Sequence, residues 1–357
     1  DGGSGDCYTQ RMRQRPWIAF VLACVTSSLA ACFSFGDLSG GDDGGASSPD
    51  ASGADANALA DASSSDAAIV DLDADAGFIP TPDGSCGFNT PFGTPTLLNV
   101  NSAMDDWGPR LSPDERTLYF ASSRANHGDG GAGIFTANRT SVTDDFSTPT
   151  LMPNINGPYV AVHPTVTADG LNLYFQSNQL GPNDIFLSTR ANLGDNFGAP
   201  ILLPNINSAT EQDAPFVRAD GTVIYFSQRA SAPAKLQIRR AVASAGSFAA
   251  AASEDEINSP NFDTTFPTVT PDDLTIFFAS DNPKASSGGY DMWMAERAST
   301  SDAFSDILPL THMNSAGGDY PAWVSADRCT LYFFSNRSGS ISIGTGNLDM
   351  YVTTRPK

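Results

Sequence analysis

Ser112-Pro113-Asp114-Glu115-Arg116-Thr117-Leu118-Tyr119-Phe120 is the first of five copies of one phrase. The others are Thr167-Ala168-Asp169-Gly170-Leu171-Asn172-Leu173-Tyr174-Phe175, Arg218-Ala219-Asp220-Gly221-Thr222-Val223-Ile224-Tyr225-Phe226, Thr270-Pro271-Asp272-Asp273-Leu274-Thr275-Ile276-Phe277-Phe278 and Ser325-Ala326-Asp327-Arg328-Cys329-Thr330-Leu331-Tyr332-Phe333. Their Asp residues lie 55, 51, 52 and 55 positions apart, a period that signals a repeat architecture. Each copy reads as the end of a strand, a tight turn and a second strand. Pro or Ala before Asp suits a turn, because Pro presets φ and the Asp carboxylate accepts backbone N–H bonds. The β-branched and aromatic residues that follow favour a half-buried pleated surface. A third strand is expected at Gly133-Ile134-Phe135, Asp184-Ile185-Phe186, Asp291-Met292-Trp293 and Asp349-Met350-Tyr351, with a weaker copy at Gln237-Ile238. A fourth segment begins with Phe and closes on Asn: Phe146 to Asn156, Phe197 to Asn207, Phe248 to Asn258 and Phe304 to Asn314. Each unit is therefore expected to be a four-stranded antiparallel sheet.

The fifth unit stops after its third strand at Arg355, whereas a Phe-to-Asn segment, Phe92 to Asn101, precedes the first. The N-terminal strand is thus placed to complete the last unit. A closed ring removes open sheet edges, while an open solenoid would want capping repeats at both ends. The expected fold is all-β: a five-bladed β-propeller over residues 88–357, closed by its N-terminal strand.

The tract Asn314-Ser315-Ala316, Asp319, Ser325-Ala326-Asp327 and Leu331-Tyr332-Phe333, with Ser287-Gly288-Gly289-Tyr290-Asp291-Met292-Trp293, resembles PD40 repeats, the WD40-like propeller repeats of TolB-type envelope proteins. The resemblance implies the propeller fold. Relatives of that kind include periplasmic binding and scaffolding proteins, propeller parts of peptidases and some sugar lyases, so it implies no single activity. No Gly-x-Ser-x-Gly nucleophile elbow is present.

Upstream, Arg11, Arg13 and Arg15 precede the apolar run Trp17 to Ala31, which reads as a signal peptide too short for a stable membrane span. Residues 1–31 are assigned to it, with residues 1–11 preceding Met12. Leu29-Ala30-Ala31-Cys32 resembles the lipobox of bacterial lipoproteins, which implies that Cys32 is the lipidated first residue of the mature chain. Several acyl chains together anchor a protein stably. Phe33, rather than Asp, after the Cys suggests the outer membrane. Residues 32–87 hold eleven Asp and no Lys or Arg, in a background of Ala, Ser and Gly. Such a segment cannot bury enough apolar surface to offset its chain entropy and is expected to be a self-repelling tether. Asp71-Leu72-Asp73-Ala74-Asp75-Ala76-Gly77 resembles the start of a calcium loop, but Ala76 and Pro82 stand where an EF-hand needs Gly and Glu.

Residues 88–357 carry 27 acids and 16 bases, a net of eleven negative charges, which argues against nucleic acid as a partner. The recurring turn acids Asp114, Asp169, Asp220, Asp272 and Asp327 are read as structural, as are Asp184, Asp291 and Asp349. Candidate ligand contacts lie instead in the loops leading to the innermost strands, at one mouth of the channel: Asp105, Tyr159, Glu211, Asp263 and Asp319. The competing reading is that Asn and Ser close turns there and the acids accept loop amides. Near-equivalent acids in equivalent loops argue against a glycosidase, which needs two carboxyls with pKa values pushed apart. His127, His163 and His312 form no metal-binding spacing, and no cofactor is expected. Cys86 and Cys329 are expected to pair, since both should start strands at one end of the closing blade in an oxidising compartment. The functional expectation is a lipid-anchored, non-catalytic binding or scaffolding module for an envelope protein, peptide or glycan, with a carbohydrate-active enzyme as the alternative.

Overall fold

The computed structural model describes residues 85–357, apart from 88–89, 125–130, 230–233, 245, 286–288 and 344–345. The signal segment 1–31, Cys32, nearly all of the 32–87 linker, the calcium-like tract and His127 lie outside the described residues. Strand β1 (Thr96–Leu97) comes first. Blade 1 is β2 (Asp106–Leu111), β3 (Thr117–Ser122), β4 (Gly133–Asn138) and β5 (Thr150–Leu151). Blade 2 is β6 (Ala161–Val166), β7 (Asn172–Ser177), β8 (Asp184–Thr189) and β9 (Ile201–Leu202). In blade 3, β10 (Gln212–Val217), β11 (Val223–Arg229) and the long β12 (Leu236–Ser244) carry two short outer strands, β13 (Ser247–Phe248) and β14 (Ala252–Ser253). Blade 4 is β15 (Thr264–Val269), β16 (Thr275–Ser280), β17 (Asp291–Glu296) and β18 (Ser305–Pro309). Blade 5 is β19 (Asp319–Val324), β20 (Thr330–Ser335) and β21 (Asp349–Thr354), and its outer strand is β1, with Thr96 opposite Val352. The inner strands close a ring: β2 packs on β6, β6 on β10, β10 on β15, β15 on β19 and β19 on β2.

The fold is a five-bladed β-propeller. The outer strands pair over shorter lengths than the Phe-to-Asn segments suggested. Pro95, Pro149, Pro153, Pro200 and Pro204 fall in or beside them, and proline cannot donate to a ladder. Short, proline-flanked outer strands also leave little edge for another chain to pair with.

Each inner hairpin is set by its Asp. Asp114 accepts from Ser112 Oγ and the Arg116 amide, Asp169 from Thr167 Oγ1 and the Leu171 amide, and Asp327 from Ser325 Oγ and the Cys329 amide. The next residue is left-handed in all five turns, at φ 58 for Glu115, 67 for Gly170, 71 for Gly221, 61 for Asp273 and 61 for Arg328. Glycine fills two of these places because it has no Cβ to clash there. Four turns are held from below by an arginine whose Nε donates to that left-handed residue's carbonyl: Arg139 to Glu115, Arg190 to Gly170, Arg297 to Asp273 and Arg355 to Arg328, all at 2.8 Å. The same guanidiniums lie over Phe146, Phe197, Phe304 and Phe92 at 4.3–4.5 Å, which explains why each outer segment opens with Phe. Between blades the core is aromatic and aliphatic, with Phe120, Phe175, Phe226 and Phe333 of the second strands fully buried.

Cys86 and Cys329 are joined by a disulfide with Cα atoms 5.1 Å apart, at a sequence separation of 243. It clasps the segment leading into β1 to the second strand of blade 5.

Candidate functional site

Every inner strand starts at the same end of the ring, and the loops that bring the chain in from the previous blade are pinned by asparagine. Asn156 Oδ1 accepts from the Ile134 amide while its Nδ2 donates to the carbonyls of Ile134 and Met152. Asn207, Asn258 and Asn314 repeat this on Ile185, Ile238 and Met292, and Asn101 does so on Met350 across the closure. These asparagines tie outer strand to third strand and thereby fix where the next inner strand begins.

The five proposed rim residues do not form one ring. They occupy three successive repeat positions and differ sharply in burial. Asp319 is fully buried, accepting from the Ser315 amide at 2.6 Å and Arg337 Nη2 at 2.7 Å. Its counterpart in blade 1 is Asp106 rather than Asp105: Asp106 takes the Ser102 amide at 2.6 Å and Arg124 Nη2 at 2.6 Å. Gln212 fills the same place in blade 3, accepting from the Ser208 amide. Asp105, one position earlier, is equally buried and accepts from Ser342 Oγ and the Gly346 and Leu348 amides, stapling blade 1 to blade 5. Asp263 accepts from the Leu236 amide at 2.7 Å and Tyr290 Oη at 2.8 Å, with Arg229 and Lys235 at 3.8 and 3.9 Å. Glu211 is the most exposed of the acids, 4.0 Å from Arg229. Tyr159 is half-buried, its ring so close to Gly157 that a Cβ there would stand 2.6 Å away. Asp105, Asp106, Asp263 and Asp319 thus cap and brace loops.

The residues left at the mouth are ones that no repeat announces. Trp107, His163 and Phe266 are partly exposed at the starts of β2, β6 and β15, and Tyr290 is partly exposed before β17. The rings of His163 and Phe266 meet edge-on at 5.1 Å, although they belong to blades 2 and 4. Phe266 also meets Tyr320 at 5.1 Å, Tyr320 stacks on Phe334 at 4.8 Å, and Tyr290 lies 5.5 Å from Tyr320. An aromatic floor therefore crosses the axis below the mouth. His163 and Phe266 of the floor sit where their inner strands bulge, as does Ala214 of blade 3, with φ of 51, 53 and 49. Bulges re-aim side chains and recur next to functional sites.

Two ionisable groups stand at this floor. Burial lowers His163 to about 4, so the ring is neutral near pH 7. Gln176 Oε1 accepts the Ala214 amide and lies 2.8 Å from His163 Nδ1, which places the ring proton on Nδ1. The Asp213 carboxyl is enclosed by protein while the residue stays partly exposed. Burial, aided by nearby Glu211, raises it to about 7 against the opposing Asn183 hydrogen bond at 2.9 Å and Arg229. Among the described residues no group of three or more His, Cys, Asp or Glu is arranged to hold a metal ion. The arrangement offers stacking surfaces, a neutral imidazole and one carboxyl poised between its charge states.

No family model and no curated protein matches the chain. Among solved structures, it is similar to a protein described as putative TolB from Agrobacterium tumefaciens, at 15% identity over 74% of this chain and 98% of that one, with a TM-score of 0.45. TolB from Acinetobacter baumannii aligns at 15% identity over 76% of this chain and 65% of that one, with a TM-score of 0.43. The α-L-arabinofuranosidase PaAbf62A from Podospora anserina aligns at 11% identity over 75% and 96%, with a TM-score of 0.44. These are likenesses of fold.

Proposed function

We propose that the chain is an exported lipoprotein, anchored through Cys32 and tethered by residues 32–87, whose propeller is a non-catalytic binding module for an envelope protein, peptide or glycan. The observation that supports it is the division of labour at the mouth. Asp105, Asp106, Asp263 and Asp319 are occupied by loop amides, hydroxyls and basic side chains, while Trp107, Phe266 and Tyr290 are partly exposed aromatic residues. Aromatic faces give contact area at low entropic cost and suit both peptide side chains and sugar rings. Titrating the full-length mature protein with muropeptides, oligosaccharides and peptides of outer-membrane proteins tests this directly. A member of that panel should bind, and Trp107→Ala, measured on protein verified as folded because Trp107 also packs on two core clusters, should weaken it about tenfold or more. Equal binding by Trp107→Ala would remove the mouth from the account.

One observation favours a second reading, a glycoside hydrolase. Asp213 holds a proton near neutral pH in an enclosed site, which is what a general acid requires. Its acidic neighbour Glu211 is the most exposed of the rim acids. That reading requires turnover to vanish in Asp213→Asn.

A further inference from the structure

Arg110 is the one charged side chain in a ring of five equivalent positions. Its counterparts in blades 2 to 5 are Thr165, Phe216, Thr268 and Trp323, each opposite the Tyr or Phe of the adjacent second strand. This ring lies below the aromatic floor, towards the hairpin-turn end of the channel. Arg110 is 4% exposed, and its guanidinium reaches across the axis. Nη1 donates to Thr268 Oγ1 of blade 4 at 2.7 Å, Nη2 has only a long contact to the Pro267 carbonyl at 3.5 Å, and the group lies 4.7 Å from the Phe216 ring of blade 3. Nε is buried without an acceptor among the described residues. No described carboxylate pairs with Arg110, whereas Arg124, Arg297 and Arg337 each meet one within 2.8 Å.

A buried guanidinium without a counter-charge is costly, because desolvation takes away far more than one neutral hydroxyl returns. Burial alone lowers Arg110 to about 9, with no carboxylate acting against it. The side that lacks partners is the Nε–Nη2 edge, the two-donor fork that matches a planar carboxylate. Thr165, next round the ring, accepts the Val217 amide through Oγ1 and so keeps its O–H free to donate. Trp323 is partly exposed at the same level of the ring.

We infer that the turn-end half of the channel binds a small monocarboxylate on the Nε–Nη2 edge of Arg110, beside the Phe216 ring. One negative charge balances the one positive charge. A halide would use the fork poorly, and a phosphate dianion would bring more charge and more acceptors than the ring can satisfy. The site is separate from the mouth, so it stands or falls independently of the ligand proposed there.

The test uses the full-length mature protein with acetate as probe, replacing chloride at fixed ionic strength. Acetate should raise the melting temperature with saturation, and inorganic phosphate should do so far less. Arg110→Met, and Arg110→Lys, which keeps the charge but loses the fork, should each bind acetate at least tenfold more weakly. A second readout needs no variant. The Arg110 charge acts on His163, so acetate binding near neutral pH, where the probe is ionised, should shift the His163 ring NMR resonances. Equal acetate responses in wild type and Arg110→Met, equal responses to chloride and acetate, or unmoved His163 resonances would each overturn the proposal.

Discussion

Asp319 and Arg337 face each other at 2.7 Å beneath the last inner strand, and Arg337 also donates to the Met313 carbonyl. Asp106 and Arg124 repeat the arrangement in blade 1, with Arg124 donating to the Val100 carbonyl. In both, the carboxylate orders the incoming loop through a Ser amide and the arginine locks the loop's last turn. Removing one charge leaves the other buried and partly unpaired, which is far costlier than losing a surface pair. Asp319→Asn should therefore destabilise the protein by about 2–3 kcal/mol, while Glu211→Gln, at the exposed position, should stay within about 0.5 kcal/mol. Chemical denaturation of the two variants checks this, and equal small losses would return Asp319 to the candidate ligand contacts. The carboxylates of these loops were visible in the sequence, but their task was not. The deciding partners, Arg124 and Arg337, lie 18 residues downstream, beyond the second strand. Trp107, Asp213, Phe266 and Arg110 were invisible for the opposite reason. Repeats expose what the blades share, and Trp107, Asp213, Phe266 and Arg110 each stand alone of their kind among the five equivalent positions.

The strands and turns were legible because one physical demand recurs five times. A hairpin that needs a carboxylate acceptor and a left-handed residue spells Asp followed by Gly, Asp, Glu or Arg, whichever blade it serves. The third strand of blade 3 was harder to see, since Gln237, Arg239 and Arg240 dilute its apolar pattern. It is nonetheless the longest strand described, Leu236–Ser244. The arginines under four of the turns escaped notice because each acts on a carbonyl twenty or more residues earlier. The closing element makes the sharpest demand. β1 contributes only Thr96 and Leu97 to the ladder, yet its lead-in brings Phe92 into the blade 5 core against Phe277 and Cys86 into the disulfide. Cross-linking residues so far apart in sequence removes much denatured-state entropy, typically about 2–4 kcal/mol of stability. Cys86→Ser should lose that amount, and reducing the wild-type protein should reproduce the loss. Deleting residues 85–101 should cost more, because it also uncovers the edge of β21 and removes Phe92. A deletion no worse than Cys86→Ser would mean that β1 adds nothing beyond its covalent clasp.

At the scale of the whole molecule, the ring gives two ends of different character. The turn end is bounded by five carboxylates that fold their own hairpins, and behind it Arg110 is the one charged side chain in its ring of inner-strand positions. The mouth is bounded by pinned loops whose buried acids are occupied, above a floor of aromatic rings drawn from three blades. The excess acid of residues 88–357 should slow the approach of polyanions and leave neutral or basic partners favoured. A module of this kind holds a ligand and releases it unchanged, whereas a hydrolase on the same scaffold would cut it. The most direct test is the mass of what the mouth has held. The full-length mature protein would be incubated with the glycan and peptide panel near pH 6, where Asp213 is mostly protonated, and bound ligand recovered and weighed by mass spectrometry. The account predicts a ligand recovered intact, captured equally by Asp213→Asn and poorly by Trp107→Ala. Fragments of a glycan produced by wild type and absent with Asp213→Asn would contradict it.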